Sequence, residues 1–119
     1  KGVHVVAPLT PGAGWKQVKA FSRAVAETMA SDAPDRYTAT LSRSARGGKV
    51  FVDYLRNGRG ATAIAPYSTR ARPGAPVAAP IAWSELDRPT PRTLLEVLEA
   101  MEGDDPWGGY EAARRPLPT

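Results

Sequence analysis

Gly47-Gly48-Lys49-Val50-Phe51-Val52-Asp53-Tyr54-Leu55-Arg56-Asn57 sets a single acid inside an apolar run, and its reading decides the fold. The apolar, β-branched character from Lys49 to Leu55 predicts a strand. Ala61 to Ala65 predicts a second one, and the Asn57-Gly58 pair between them tolerates positive φ, so a hairpin is expected. Side chains alternate along a strand, which puts Phe51, Asp53 and Leu55 on one face and Val50, Val52 and Tyr54 on the other. Either face surrounds the carboxylate with apolar neighbours, where an unpaired charge is costly. Asp53 is therefore expected to meet a cation. Two kinds fit: a guanidinium in a structural salt bridge, or a divalent metal ion.

Basic residues crowd around that stretch. From Arg36 to Arg72 there are eight Lys or Arg and one acid, Asp53, so the segment carries +7 within a chain whose net charge is +4. A field that uneven suits a polyanion. Arg70 and Arg72 stand two residues apart. On an extended segment they would project to one side, about 6–7 Å from each other, and grip neighbouring phosphates. Arg46 precedes Gly47-Gly48, where backbone can approach an anion closely. From Ser84 onward the balance reverses, with eight acids against four arginines.

Outward from this centre the chain reads as mixed α and β. Val3 to Leu9 predicts a buried strand, and Thr10 to Gly14 a turn. Trp15, Val18, Phe21, Val25 and Met29 recur at helical spacing, predicting a helix from Trp15 to about Ser31 that ends at Asp32-Ala33-Pro34. Tyr37 to Leu41 is a short strand candidate, and Ser42 to Gly48 a basic loop. Tyr67 to Arg72 is expected to stay extended, and the proline-rich Pro73 to Pro80 to run over the surface. Trp83 to Leu86 suggests a helical turn. Thr90-Pro91 is expected to open a second helix with Leu94, Leu95, Val97, Leu98 and Met101 inward, stopped by Gly103. Trp107 and Tyr110 are a candidate anchor for the tail.

Composition narrows the function. The 119 residues allow one domain at most, and 11 Gly with 12 Pro imply long loops. With 0 Cys there is neither a disulfide framework nor a Cys-ligated zinc site. No stretch approaches the roughly 20 apolar residues of a membrane helix, and no signal-peptide pattern is present. Ser42 and Ser44 have no Asp–His support for a nucleophile. His4 stands alone among valines, a pattern that marks a core position more often than a ligand; as a phosphate contact it would donate a hydrogen bond.

Taken together, Lys1-Gly2-Val3-His4, then a helix, then Arg46 to Asn57, then Ala65-Pro66-Tyr67-Ser68-Thr69-Arg70-Ala71-Arg72 resemble the polymerase domain of bacterial ATP-dependent DNA ligase D, of the archaeo-eukaryotic primase superfamily. The resemblance covers the chain to about Leu86. It implies an α+β fold: the C-terminal portion of a primase fold, with a mixed or antiparallel RRM-like sheet and flanking helices. Residues 1–88 would be the C-terminal part of that polymerase domain, half of its catalytic core, and 89–119 its C-terminal helix and tail. The implied activity is nucleotidyl transfer in non-homologous end joining, adding NTP or dNTP to DNA ends and primer-templates with two Mn2+ or Mg2+ ions. The implied partners are the ligase domain of the same parent chain and Ku, in a bacterial cytoplasm near the nucleoid, with no membrane.

The same resemblance implies residue roles. Lys1, Gly2, Val3 and His4 match the end of the family's second motif, Ser-Gly-Gly-Lys-Gly-x-His, which gives His4 a triphosphate-binding role and Lys1 a supporting one. Asp53 matches the aspartate of the third motif, a metal ligand and catalytic residue. Arg46, Arg70 and Arg72 match basic positions of the nucleotide and primer-template pocket, with Lys49 in support. The family's Asp-x-Asp motif, which supplies its other metal carboxylates, does not occur in this sequence. The chain, which opens without Met, is therefore expected to be a piece of a larger protein and inactive by itself in primer extension. Two other readings stand beside this one. One is a non-catalytic nucleic-acid-binding module with a basic face. The other is an interaction domain docking through Trp107, Tyr110 and the acidic C-terminal helix.

Overall fold

The computed structural model describes residues 2–87 and 92–118. The chain divides into two compact units, Thr10–Ala63 with Pro116–Thr119, and Lys1–Leu9 with Ile64–Arg115.

The first unit is built on helix α1, Trp15–Asp32. Gly14 caps its start in an extended conformation, and its amide donates to the Gln17 side-chain oxygen at 2.8 Å. The helix stops where the Ala33 amide donates back to the Met29 carbonyl at 3.0 Å and Pro34 has no amide to continue. The expected helix is present, but only part of the bulky stripe turns inward, with Val18 and Met29 half-buried. Trp15, Phe21 and Val25 are exposed, Ala26 is fully buried, and Ser22, Met29 and Ala30 are half-buried. Small side chains let the backbone approach its neighbour closely. That neighbour is strand β1, Tyr37–Thr38.

β1 pairs with β2, Val50–Phe51, in parallel, with Tyr37 opposite Val50 and Thr38 opposite Phe51. The Val50 amide donates to the Arg36 carbonyl at 2.8 Å, and the Val52 amide to the Thr38 carbonyl at 2.9 Å. The hairpin expected between Lys49–Leu55 and Ala61–Ala65 does not form, and Asp53 lies beyond the end of β2. Two contacts explain this. The Leu55 amide donates to Asp53 Oδ1 at 2.9 Å, a local turn that withdraws a ladder donor. Arg56 Nη1 donates to the Thr62 carbonyl at 2.7 Å, which withdraws an acceptor from the opposing segment. Turns at Tyr54–Asn57 and Gly58–Ala61 fill the interval.

In the second unit Val3 to Pro8 forms no strand. Leu9 makes a single parallel bridge to Arg115, while Val3, Val5 and Val6 are exposed. A β-branched run needs a neighbouring strand to complete its hydrogen bonds, and none lies alongside among the described residues. The hairpin of this unit is elsewhere. Tyr67 donates to the Ala78 carbonyl, Ala78 to Ser68, and Arg70 to Pro76, all between 2.8 and 2.9 Å. The Pro73-Gly74 turn closes it, with Gly74 at φ 82. Val77, expected in a surface run, is buried because it also bridges antiparallel to Arg92.

Helix α2 spans Leu94–Ala100, and its N-cap is Thr93, whose hydroxyl accepts from the Glu96 amide at 3.3 Å. Thr90 and Pro91, the expected cap pair, lie outside the described residues. Val97 alone of the expected stripe is buried; Leu94, Leu95, Leu98 and Met101 are exposed. The Trp83–Glu85 helical turn is present. Trp107 and Tyr110 pack edge to face, with ring centroids 4.8 Å apart. The described sheet is thus a two-stranded parallel one, and antiparallel pairing is confined to isolated bridges.

Candidate nucleotide and nucleic-acid site

Asp53 is exposed rather than buried, which removes the reason for expecting a salt bridge. Its carboxylate makes one hydrogen bond, to the Leu55 amide, and no ion pair among the described residues. It is free to accept a ligand. It is also a single carboxylate, and no group of three or more His, Cys, Asp or Glu that could hold a metal occurs among the described residues. Mg2+ completes an octahedral shell with water and substrate phosphates around one or two carboxylates. Asp53 fits as one such ligand, and the described residues do not enclose a metal ion by themselves.

Arg46 is fixed by its loop. Its Nη2 donates to the Leu41 carbonyl at 3.1 Å, and its guanidinium carbon lies 4.7 Å from the Phe51 ring centroid. Its Nε is buried without a partner. A guanidinium held this way has lost much of its rotamer freedom, so its remaining donors are aimed before any anion arrives. Lys49 closes the loop through its amide, which donates to the Arg46 carbonyl. Gly48, at φ 76, makes the required turn.

Arg70 and Arg72 occupy the tip of the second unit's hairpin. They are not on an extended segment, because the Arg72 amide donates to the Arg70 carbonyl at 2.8 Å and bends the chain at Ala71. Both side chains are exposed, and neither makes an ion pair among the described residues. His4 is also exposed. Lys1 lies outside the described residues. Asp53, Arg46 and Lys49 thus belong to one unit, and His4, Arg70 and Arg72 to the other.

Sequence reading missed a third group. Lys16, Lys19 and Arg23 follow one face of α1 and, with Ala20, Tyr54 and Leu55, line a groove of about 380 Å³. Arg23 is bonded to Glu27 at 2.7 Å, a contact that raises its pKa further above the ordinary guanidinium value, chiefly through the hydrogen bond. The spacing i, i+3, i+7 was the available signal.

In one unit a clamped arginine, and in the other an arginine-tipped hairpin, present guanidinium groups of the kind that can hold phosphates. Comparison with known proteins narrows this. Residues 1–107 match the family described as LigD, primase-polymerase domain. The chain is 42% identical over 121 residues to the multifunctional non-homologous end joining protein LigD of Pseudomonas aeruginosa, covering 97% of the chain. It is 41% identical over 108 residues to the Mycobacterium tuberculosis non-homologous end joining DNA repair protein LigD. Each match spans 14% of the relative's length. The structure resembles the polymerase domain from Mycobacterium tuberculosis ligase D in complex with DNA, with a TM-score of 0.80 and 34% identity over 88% of this chain and 38% of that one. The chain belongs to the LigD primase-polymerase domain family.

Proposed function

We propose that this chain is part of a primase-polymerase that adds nucleotides to DNA ends during non-homologous end joining. The observation carrying this reading is the likeness in both sequence and backbone to a polymerase domain solved with DNA. In the intact domain the primer 3′-hydroxyl attacks the α-phosphorus of the incoming nucleotide and gives up its proton to solvent; the new P–O bond forms as the bond from the α-phosphorus to the oxygen bridging to the β-phosphate breaks, and pyrophosphate leaves. Asp53 would supply one carboxylate toward a divalent cation, Mn2+ or Mg2+, which when bound would neutralise phosphate charge. Arg70, Arg72 and His4 bind the triphosphate, and Arg46, supported by Lys49, lies toward the nucleotide or template strand. What these residues contribute is positioning and electrostatic stabilisation.

Residues 1–88 are proposed to hold half of that catalytic core, whose sheet in the intact domain is RRM-like, and 89–119 its C-terminal helix and tail. The ligase domain and Ku are the proposed protein partners, in a bacterial cytoplasm. Among the described residues no helix is long and apolar enough to cross a membrane. The chain alone offers one of the carboxylates and is proposed to be inactive by itself. The test is primer extension by the parent protein carrying Asp53→Ala. Loss of nucleotide addition with DNA binding retained supports the polymerase. Undiminished addition contradicts it, and tighter DNA binding in a parent that adds no nucleotides favours a purely DNA-binding module.

A further inference from the structure

The groove beside α1 has chemistry that the nucleotide site does not use. Lys16, Lys19 and Arg23 stand on one face of the helix and line the groove together with Ala20 and with Tyr54 and Leu55, which directly follow Asp53 in sequence. Positions i to i+7 on a helix span about 10 Å along its axis, enough for successive phosphates of one strand. The Lys16 and Lys19 ammonium groups make no ion pair among the described residues. Lys19 lies against Gly58, its Nζ 3.7 Å and its Cδ 3.8 Å from where a β-carbon on that glycine would stand, and the residue as a whole is exposed.

The floor differs from the rim. Tyr54 is half-buried, with the Arg23 guanidinium carbon 6.0 Å from its ring centroid. A cationic rim over an aromatic and aliphatic floor is the arrangement by which proteins hold single strands: phosphates on the lysines, a base against the ring. Between residues 10 and 63 nine Lys or Arg face four acids; Glu27 is paired with Arg23, and Asp53, which adjoins Tyr54, accepts from the Leu55 amide. We propose that this groove is a secondary track for single-stranded DNA, separate from the residues assigned to the nucleotide, which takes the strand's backbone on Lys16 and Lys19 and a base on Tyr54. The proposal rests on the nucleic-acid reading of the chain, but it concerns a different set of residues.

The experiment is fluorescence anisotropy of a labelled oligo-dT of about 12 nucleotides, titrated at several salt concentrations, with circular dichroism confirming that each variant is folded. Lys16→Ala with Lys19→Ala should reduce the slope of log K against log salt by about 1.4, since each single-strand phosphate contact contributes about 0.7. Lys16→Arg with Lys19→Arg should restore it. Tyr54→Phe should bind as the unaltered chain does, and Tyr54→Leu should bind about tenfold more weakly with the slope unchanged. If Tyr54→Leu fails to fold, the lysine pair decides. Unchanged affinity and slope in the double-alanine variant would overturn the proposal, and the polymerase reading would still stand on Asp53. Equal competition by polyglutamate of matched charge, with Tyr54→Leu harmless, would overturn the assignment to a DNA strand.

Discussion

Gly47 and Gly74 are both exposed glycines in loops that present arginines, and an added β-carbon at either would meet nothing within 4 Å. Packing therefore says that alanine should be harmless at both, and the backbone says otherwise. Gly74 sits at φ 82 in the turn that closes the Arg70–Arg72 hairpin, whereas Gly47 is not among the positive-φ residues. For an L side chain the left-handed region costs about 1–2 kcal/mol. At a compatible site, removing glycine's freedom in the unfolded chain stabilises by about 0.4–1 kcal/mol. The entropy gain is common to both variants, so Gly74→Ala should be less stable than Gly47→Ala by the left-handed penalty alone, about 1.5 kcal/mol. In a chain of this size that separates their melting temperatures by roughly 5–9 °C. Thermal and urea unfolding by circular dichroism measure the difference. Equal stability of the two variants would show that the turn does not hold Gly74 in the left-handed region, and with it would go the placement of Arg70 and Arg72.

Thr93→Ala removes the cap on the Glu96 amide and should lower stability by about 1 kcal/mol, read from the urea midpoint. Val97→Ala empties one of the few buried apolar positions of the second unit and should cost about 2 kcal/mol by the same measurement. Arg46→Lys gives up the Leu41 contact and the stacking on Phe51, yet it also relieves a buried Nε without a partner. The opposing effects should leave a loss of about 1 kcal/mol. Nucleotide affinity of the intact domain should fall further, because a lysine presents no planar fork. Isothermal titration separates the two losses.

The helices were legible because their signals are local. The stop at Ala33-Pro34 and the helical turn at Trp83 follow from the residues there. Strand pairing was not, because partners are chosen by competition over distance. Asn57-Gly58 looked like the hairpin turn, but the Asp53 carboxylate and the Arg56 guanidinium took the backbone groups that such a ladder needs. The hairpin that forms uses Pro73-Gly74, a turn signal of equal strength inside a proline-rich stretch whose composition predicts an extended surface run. Exposure misled in the same way. Asp53 was placed among apolar neighbours by alternation, but alternation ends with β2 at Phe51. The identity of the candidate site residues came from a sequence pattern, which does not depend on knowing how strands pair.

Binding of Mn2+ to the intact polymerase domain with nucleotide present, followed by electron paramagnetic resonance, probes the role of Asp53 most directly. Asp53→Asn keeps an oxygen for the Leu55 amide and removes only charge at an exposed position, so folding should be untouched. Manganese affinity should fall at least about tenfold, as expected when a liganding charge is lost. Manganese binding indistinguishable from the unaltered domain would mean that Asp53 holds no metal.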